Sequence, residues 1–135
     1  MNQRVVIRML PVALAVLEDP DVRMVIDGTL HRGFRGHISS MGAAMVMSSF
    51  KAAVVFYAEN GDTNRDIPRS EVLRAVHAVA TATITQEDFS YQLKQPEEII
   101  GEILPVPEEE LGSLKESYIN ASIALKQAMN AFTLV

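Results

Sequence analysis

From Ile38 to Tyr57 nearly every side chain is apolar or small; only Ser39, Ser40, Ser48, Ser49 and the single charge Lys51 interrupt the run. Such a stretch is either a membrane span or a helix buried in a bundle. Its length is close to that of a span. A charge inside hydrocarbon costs several kcal/mol, however, and four serines lower the hydrophobicity further. The reading is therefore a central buried helix, apolar all round, with no membrane contact. Gly42, Ala43, Ala44, Ser48, Ala52 and Ala53 are small enough to let neighbouring helices approach closely.

The same region is free of acids. Asp27 and Glu59 are consecutive acidic residues, and between them stand Arg32, Arg35, Lys51, His31 and His37. This is unexpected in a chain with 17 acids against 12 bases and a formal net charge of −5. Residues 1–51 hold six bases and four acids, whereas residues 52–135 hold six bases and thirteen acids. The negative total suits a soluble protein, and its uneven distribution directs any polyanion contact to the first half. The absence of cysteine rules out disulfides and thiolate metal sites and fits the cytoplasm. Arg4 and Arg8 inside the first apolar stretch argue against a secretory signal. The 135 residues make one domain, 1–135.

Around that run the periodicity is helical. Val5, Val6, Met9, Leu10, Ala13, Leu14 and Leu17 predict a helix over 3–17, with Pro11 expected to kink or split it. Asp21 is expected to cap a short helix through Ile26 that Gly28 closes. Gly33 and Gly36 read as a hinge into the long helix, and Asn60–Asn64 as a turn. Pro68 opens a helix to about Thr83 with Val72, Ala75, Val76, Val79 and Ala80 as its stripe. Residues 86–112 are acidic and punctuated by Pro96, Pro105 and Pro107, and read as an exposed, mobile connection with a short helix over Glu97–Ile103. Ser113 and Glu116 suggest a capping box for a last helix bearing Leu114, Tyr118, Ala121, Leu125, Ala128 and Phe132. No segment alternates like a strand. The expected fold is all-α, a single bundle of five to six helices.

Sequence signals for chemistry are few. There is no phosphate-cradling loop, no HExxH and no nucleophile elbow around Ser49. Asp27, His31 and His37 read as polar residues at helix ends rather than metal ligands. Glu97-Glu98 and Glu108–Glu110 follow prolines at helix starts, where negative charge suits the helix dipole. Met41, Met45 and Met47 read as core filling. No catalytic residue, metal or cofactor is expected. The basic residues remain. Arg32 and Arg35 stand beside glycines that let backbone come close to a ligand, and Lys51 and Lys126 sit among apolar neighbours from which their ammonium groups must escape. With no run of aromatics to stack bases, any polyanion contact through Arg32, Arg35, Lys51 and Lys126 would be to a phosphate backbone.

Two segments carry a resemblance. Gly36-His-Ile-Ser-Ser-Met-Gly-Ala-Ala-Met-Val-Met-Ser48 resembles the early-helix motif of the small subunit of type III-B CRISPR effector (Cmr) complexes. Ala121-Ser-Ile-Ala-Leu-Lys-Gln-Ala-Met-Asn-Ala-Phe132 resembles that family's terminal motif, in the same order and at a similar chain length. The family often has Gly-Leu where Ser49-Phe50 stand and Arg where Asn130 stands. The resemblance implies a helical, non-catalytic subunit whose copies stack in a minor filament beside the other subunits. Its basic face would follow the guide and target RNA backbone. The equivalent type III-A subunit, a free-standing helical adaptor for a protein ligand and an enzyme of another type are the alternatives.

Overall fold

A computed structural model describes residues 2–59 and 67–135. Their order is α1 (Gln3–Glu18), β1 (Val25–Ile26), β2 (Thr29–Leu30), α2 (Arg32–Met47), α3 (Phe50–Ala58), α4 (Arg69–Ala80), β3 (Thr83–Ile84), β4 (Phe89–Ser90), α5 (Pro96–Ile103), α6 (Gly112–Ala128) and β5 (Thr133–Leu134). The expected all-α bundle is what forms: six α-helices among the described residues, trimmed by two-residue strands. The turn expected at Asn60–Asn64 lies outside the described residues. No helix among the described residues is long and apolar enough to cross a membrane.

The spine of the bundle is α6, which packs against α1, α4 and α2. Tyr118, Ala121, Ala124 and Leu125 are fully enclosed, so most of the predicted stripe is buried. The helix starts at Gly112 with no side-chain cap, so the Ser113–Glu116 box is not used. The most enclosed helix is α4, where every residue from Val72 to Val79 is buried, Arg74 and His77 included. Val12, Ala13, Val16 and Leu17 complete the core from α1.

Three expectations need correction. First, Pro11 does not split α1, which continues as one helix from Gln3 to Glu18. Proline removes the bond to the carbonyl one turn earlier. Ile7 and Pro11 both lie on the exposed side of α1, where that carbonyl meets water instead.

Second, no helix spans Asp21–Ile26. Val25–Ile26 and Thr29–Leu30 form an antiparallel hairpin. Asp27 (φ 51°) and Gly28 (φ 76°) take the paired left-handed conformation of a tight hairpin turn, for which Asp-Gly is a favoured dipeptide. β5 then pairs parallel with β2, with Thr29 opposite Thr133 and Leu30 opposite Leu134.

Third, the Ile38–Tyr57 run is neither one helix nor buried all round. Ser48 leaves the helix (φ −139°, ψ −161°) and Ser49 caps the next one by accepting from the Ala52 N–H. Ser48 Oγ donates back to the Ala44 carbonyl at 2.7 Å. Serine side chains that bond nearby backbone compete with helix continuation, and two in succession end one helix and start another. Phe34, Ile38, Met41 and Met45 face inward from α2, while Val46 and Met47 are 63% and 85% exposed. The Gly33–Gly36 hinge is likewise absent, since both glycines lie within the first turns of α2.

Residues 86–112 are more ordered than their composition suggests. β3 and β4 pair as a hairpin. In α5 the Glu98 carboxylate accepts from the Gln95 N–H at 3.1 Å, a reciprocal cap that favours the helix start. Ile99, Ile103 and Leu111 are buried and anchor the acidic tract to the bundle. The acids themselves, Glu97, Glu98, Glu102 and Glu108–Glu110, point outward.

Candidate nucleic-acid interface

The positions of Arg32, Arg35 and Lys126 follow from how α2 meets α6. The Arg32 N–H donates to the Val135 carbonyl at 3.1 Å, tying the start of α2 to the chain just beyond α6. At the opposite end Ser49, just beyond α2, donates to Glu108, just before α6, at 3.3 Å, so the two helices run antiparallel with the first turns of α2 towards the end of α6. Arg32 and Arg35 occupy those first turns of α2, and Lys126 is the basic residue of the last turn of α6. All three stand at one end of the helix pair. Arg32 is exposed, and Arg35 and Lys126 are partly so. No acid occurs on α2 or α3, and α6 has only Glu116, near its other end. Within the two helices this end carries only cations, and Asp27 stands nearby in the turn of the β1–β2 hairpin that leads into α2.

Below this end the two helices part into an open groove of about 390 Å³. Ser39, Gly42, Ala43, Val46 and Met47 of α2 line one wall, and Ile119, Ile123 and Lys126 of α6 line the other. The apolar positions predicted as core filling are thus split. Met41 and Met45 are buried, and Met47 is on the surface.

Lys51 does not join this group. It sits in the first turn of α3, and its Nζ donates to the Leu104 carbonyl at 3.0 Å. Leu104 follows the last residue of α5, so the ammonium satisfies a carbonyl at a helix C-terminus, where positive charge is favourable.

His31 and His37 have structural partners. His31 Nδ1 accepts from the Gly33 N–H at 3.0 Å and caps α2. His37 donates through Nε2 to the Ile67 carbonyl at 3.1 Å. A Cβ at Gly33 would come within 2.5 Å of Ile67 Cδ1, so the Ile67 side chain would have to shift to admit one.

A second concave feature was not visible in the sequence. A cleft of about 370 Å³ lies between α4, α5 and the β3–β4 hairpin, lined by His77, Thr81, Ser90, Tyr91, Lys94 and Glu102. His77 is buried, with Nδ1 2.5 Å from Tyr118 Oη and Nε2 3.9 Å from Glu102 Oε2. Glu102 also pairs with Lys94. Burial pushes the His77 pKa down, against the pull of Glu102, so the ring is neutral at pH 7. Tyr118 is pushed well above the usual phenol range by its own burial. The phenol therefore holds its proton, and a hydrogen bond joins it to His77 Nδ1. The available sign was a histidine within the apolar stripe of α4.

No family model matches this chain, and comparison with curated proteins and with solved structures gives no match either.

Proposed function

We propose that this chain is a non-catalytic, RNA-proximal small subunit of a type III-B CRISPR RNA-guided complex. It would stack with copies of itself in a minor filament and contact the guide and target RNA backbone. The observation that carries the reading is the convergence of Arg32, Arg35 and Lys126 at the acid-free end of α2 and α6. Most of the Gly36–Ser48 and Ala121–Phe132 segments on which the resemblance rests lies on these helices. The mechanism is electrostatic. Guanidinium and ammonium groups contact phosphate oxygens and displace counterions, independently of sequence. Lys51 is left out of the phosphate-facing set, because its ammonium is engaged at the end of α5.

The test is Arg32→Glu with Arg35→Glu, measured as target-RNA affinity of the assembled complex at several salt concentrations. The expected result is weaker binding and a salt slope shallower by about 0.7 for each single-strand phosphate that is no longer neutralised, with an unchanged melting temperature. Equal affinity and equal slope for variant and wild type would reject the proposal. Co-purification of the chain with neither RNA nor large CRISPR subunits would favour the adaptor alternative.

A further inference from the structure

The α2–α6 groove has features that phosphate contact does not use. Its walls are apolar except for two serines and Lys126, the one charged residue lining it among the described residues. Val46 and Met47 are 63% and 85% exposed at its far end, and methionine suits surfaces that adapt to a partner. Gly42 lies in the wall, inside a helix, with nothing within 4 Å of where its Cβ would be. Glycine at such a position is less favourable than alanine by about 1 kcal/mol, and no contact within the chain calls for it. What it does is keep the groove deep.

We infer that this groove is a docking site for an amphipathic helix of a partner protein, with carboxylates at the end of the helix that meets Lys126. The lining decides between a helix and an extended segment. A strand laid here would leave its backbone N–H and C=O groups facing aliphatic walls, since Ser122 Oγ is already committed to the Tyr118 carbonyl at 2.8 Å. A helix satisfies its own backbone and needs only an apolar stripe at i, i+3, i+4 and i+7 spacing. Ile38 to Met47 on α2 matches roughly two to three turns of such a helix at about 1.5 Å per residue.

Charge complementarity sets its polarity. Lys126 closes one end of the groove, and Arg35 stands one turn beyond Ser39 on the same α2 stripe. Glu116 precedes Ile119 by one turn at the other end. A helix with an acidic end at Lys126 meets cations there, whereas the reverse placement sets its acids near Glu116. The inference takes Lys126 from the RNA reading for the partner helix and leaves Arg32 and Arg35 to the phosphates.

The experiment uses the full chain with labelled methyl groups and two synthetic 18-residue helical peptides. Both carry a leucine stripe, one ending in a glutamate-rich turn and the other in a lysine-rich turn. The expected result is saturable shifts of the Val46, Met47, Ile119 and Ile123 methyls with the glutamate peptide. Binding of the lysine peptide should be at least tenfold weaker. Gly42→Leu, which fills the groove where the fold leaves space, should abolish binding without lowering the melting temperature, and Lys126→Glu should weaken it about tenfold. No saturable shift with either peptide, or equal binding of both, would overturn the inference. So would the same methyl shifts from a poly-uridine 20-mer, which would make the occupant RNA. Self-association that Gly42→Leu removes would make it a second copy and equally overturn the inference.

Discussion

The Nδ1 of His77 lies 2.5 Å from Tyr118 Oη in the core, with the Phe50 ring edge-on to Tyr118 at 5.0 Å. Burial lowers the His77 pKa below its ordinary 6.5 and so favours the neutral imidazole in this contact. Glu102 opposes that shift and Lys94 assists it. Because the folded pKa is lower than the unfolded one, the stabilisation is complete above pH 6.5 and is lost as the pH falls through the folded value. Thermal unfolding should therefore show a falling melting temperature between about pH 7 and pH 5, a drop that His77→Gln reduces. Parallel pH profiles for the two proteins would contradict this.

Arg74 is the most heavily used buried charge. Its Nη1 donates to the Asp21 carbonyl at 2.8 Å and to Glu71 Oε2 at 2.9 Å, and its Nε donates to the Lys94 carbonyl at 3.0 Å. Arg74→Met keeps the bulk but strands the half-buried Glu71 carboxylate, whose pKa burial already raises. The expected loss in urea denaturation is about 3–5 kcal/mol. A loss smaller than about 1 kcal/mol would mean that water replaces the guanidinium.

Lys51→Ala separates structural from phosphate-facing cations. Removing the ammonium leaves the Leu104 carbonyl without its side-chain donor, which should cost about 1 kcal/mol of stability. RNA affinity at fixed salt should be unchanged. A drop in affinity matching that of Arg35→Ala would return Lys51 to the RNA-facing group.

Two glycines should respond to alanine with opposite signs. Gly28 has φ 76° in the β1–β2 turn, where a Cβ costs roughly 1–2 kcal/mol. Gly42 is helical with open space around it, so Gly42→Ala should stabilise by about 1 kcal/mol. Equilibrium denaturation of the two variants checks both signs.

The bundle was legible because it rests on periodicity. The stripes of α1, α4 and α6 mark their buried faces, and Pro96 with Glu98 marks the start of α5. Hydropathy misassigned the centre. The Ile38–Tyr57 run has the highest apolar density, yet one side of α2 is on the surface, while α4 is enclosed with Arg74 and His77 inside it. Local composition carries no record of the partners that make a buried arginine or histidine tolerable. Asp21 and Lys94 supply carbonyls to Arg74, and Tyr118 supplies a hydroxyl to His77, all from distant positions. At the cationic end, Arg32, Arg35 and Lys126 were each visible as basic residues. Their proximity depends on α6 packing against α2, a contact between distant segments that leaves no trace in a local sequence pattern.

The return of β5 to β2 has a kinetic consequence. Leu30 and Leu134 are separated by about three-quarters of the 135-residue chain, and a loop of that size closes at an entropic cost that two strand residues repay poorly. The pairing must wait until α6 has docked and brought its end to the start of α2. The cationic edge is then among the last parts of the molecule to form and among the first to open in local fluctuations. Amide exchange at Arg32 and Val135, whose N–H groups bond across this junction, should be fast compared with that of Leu125 in the core.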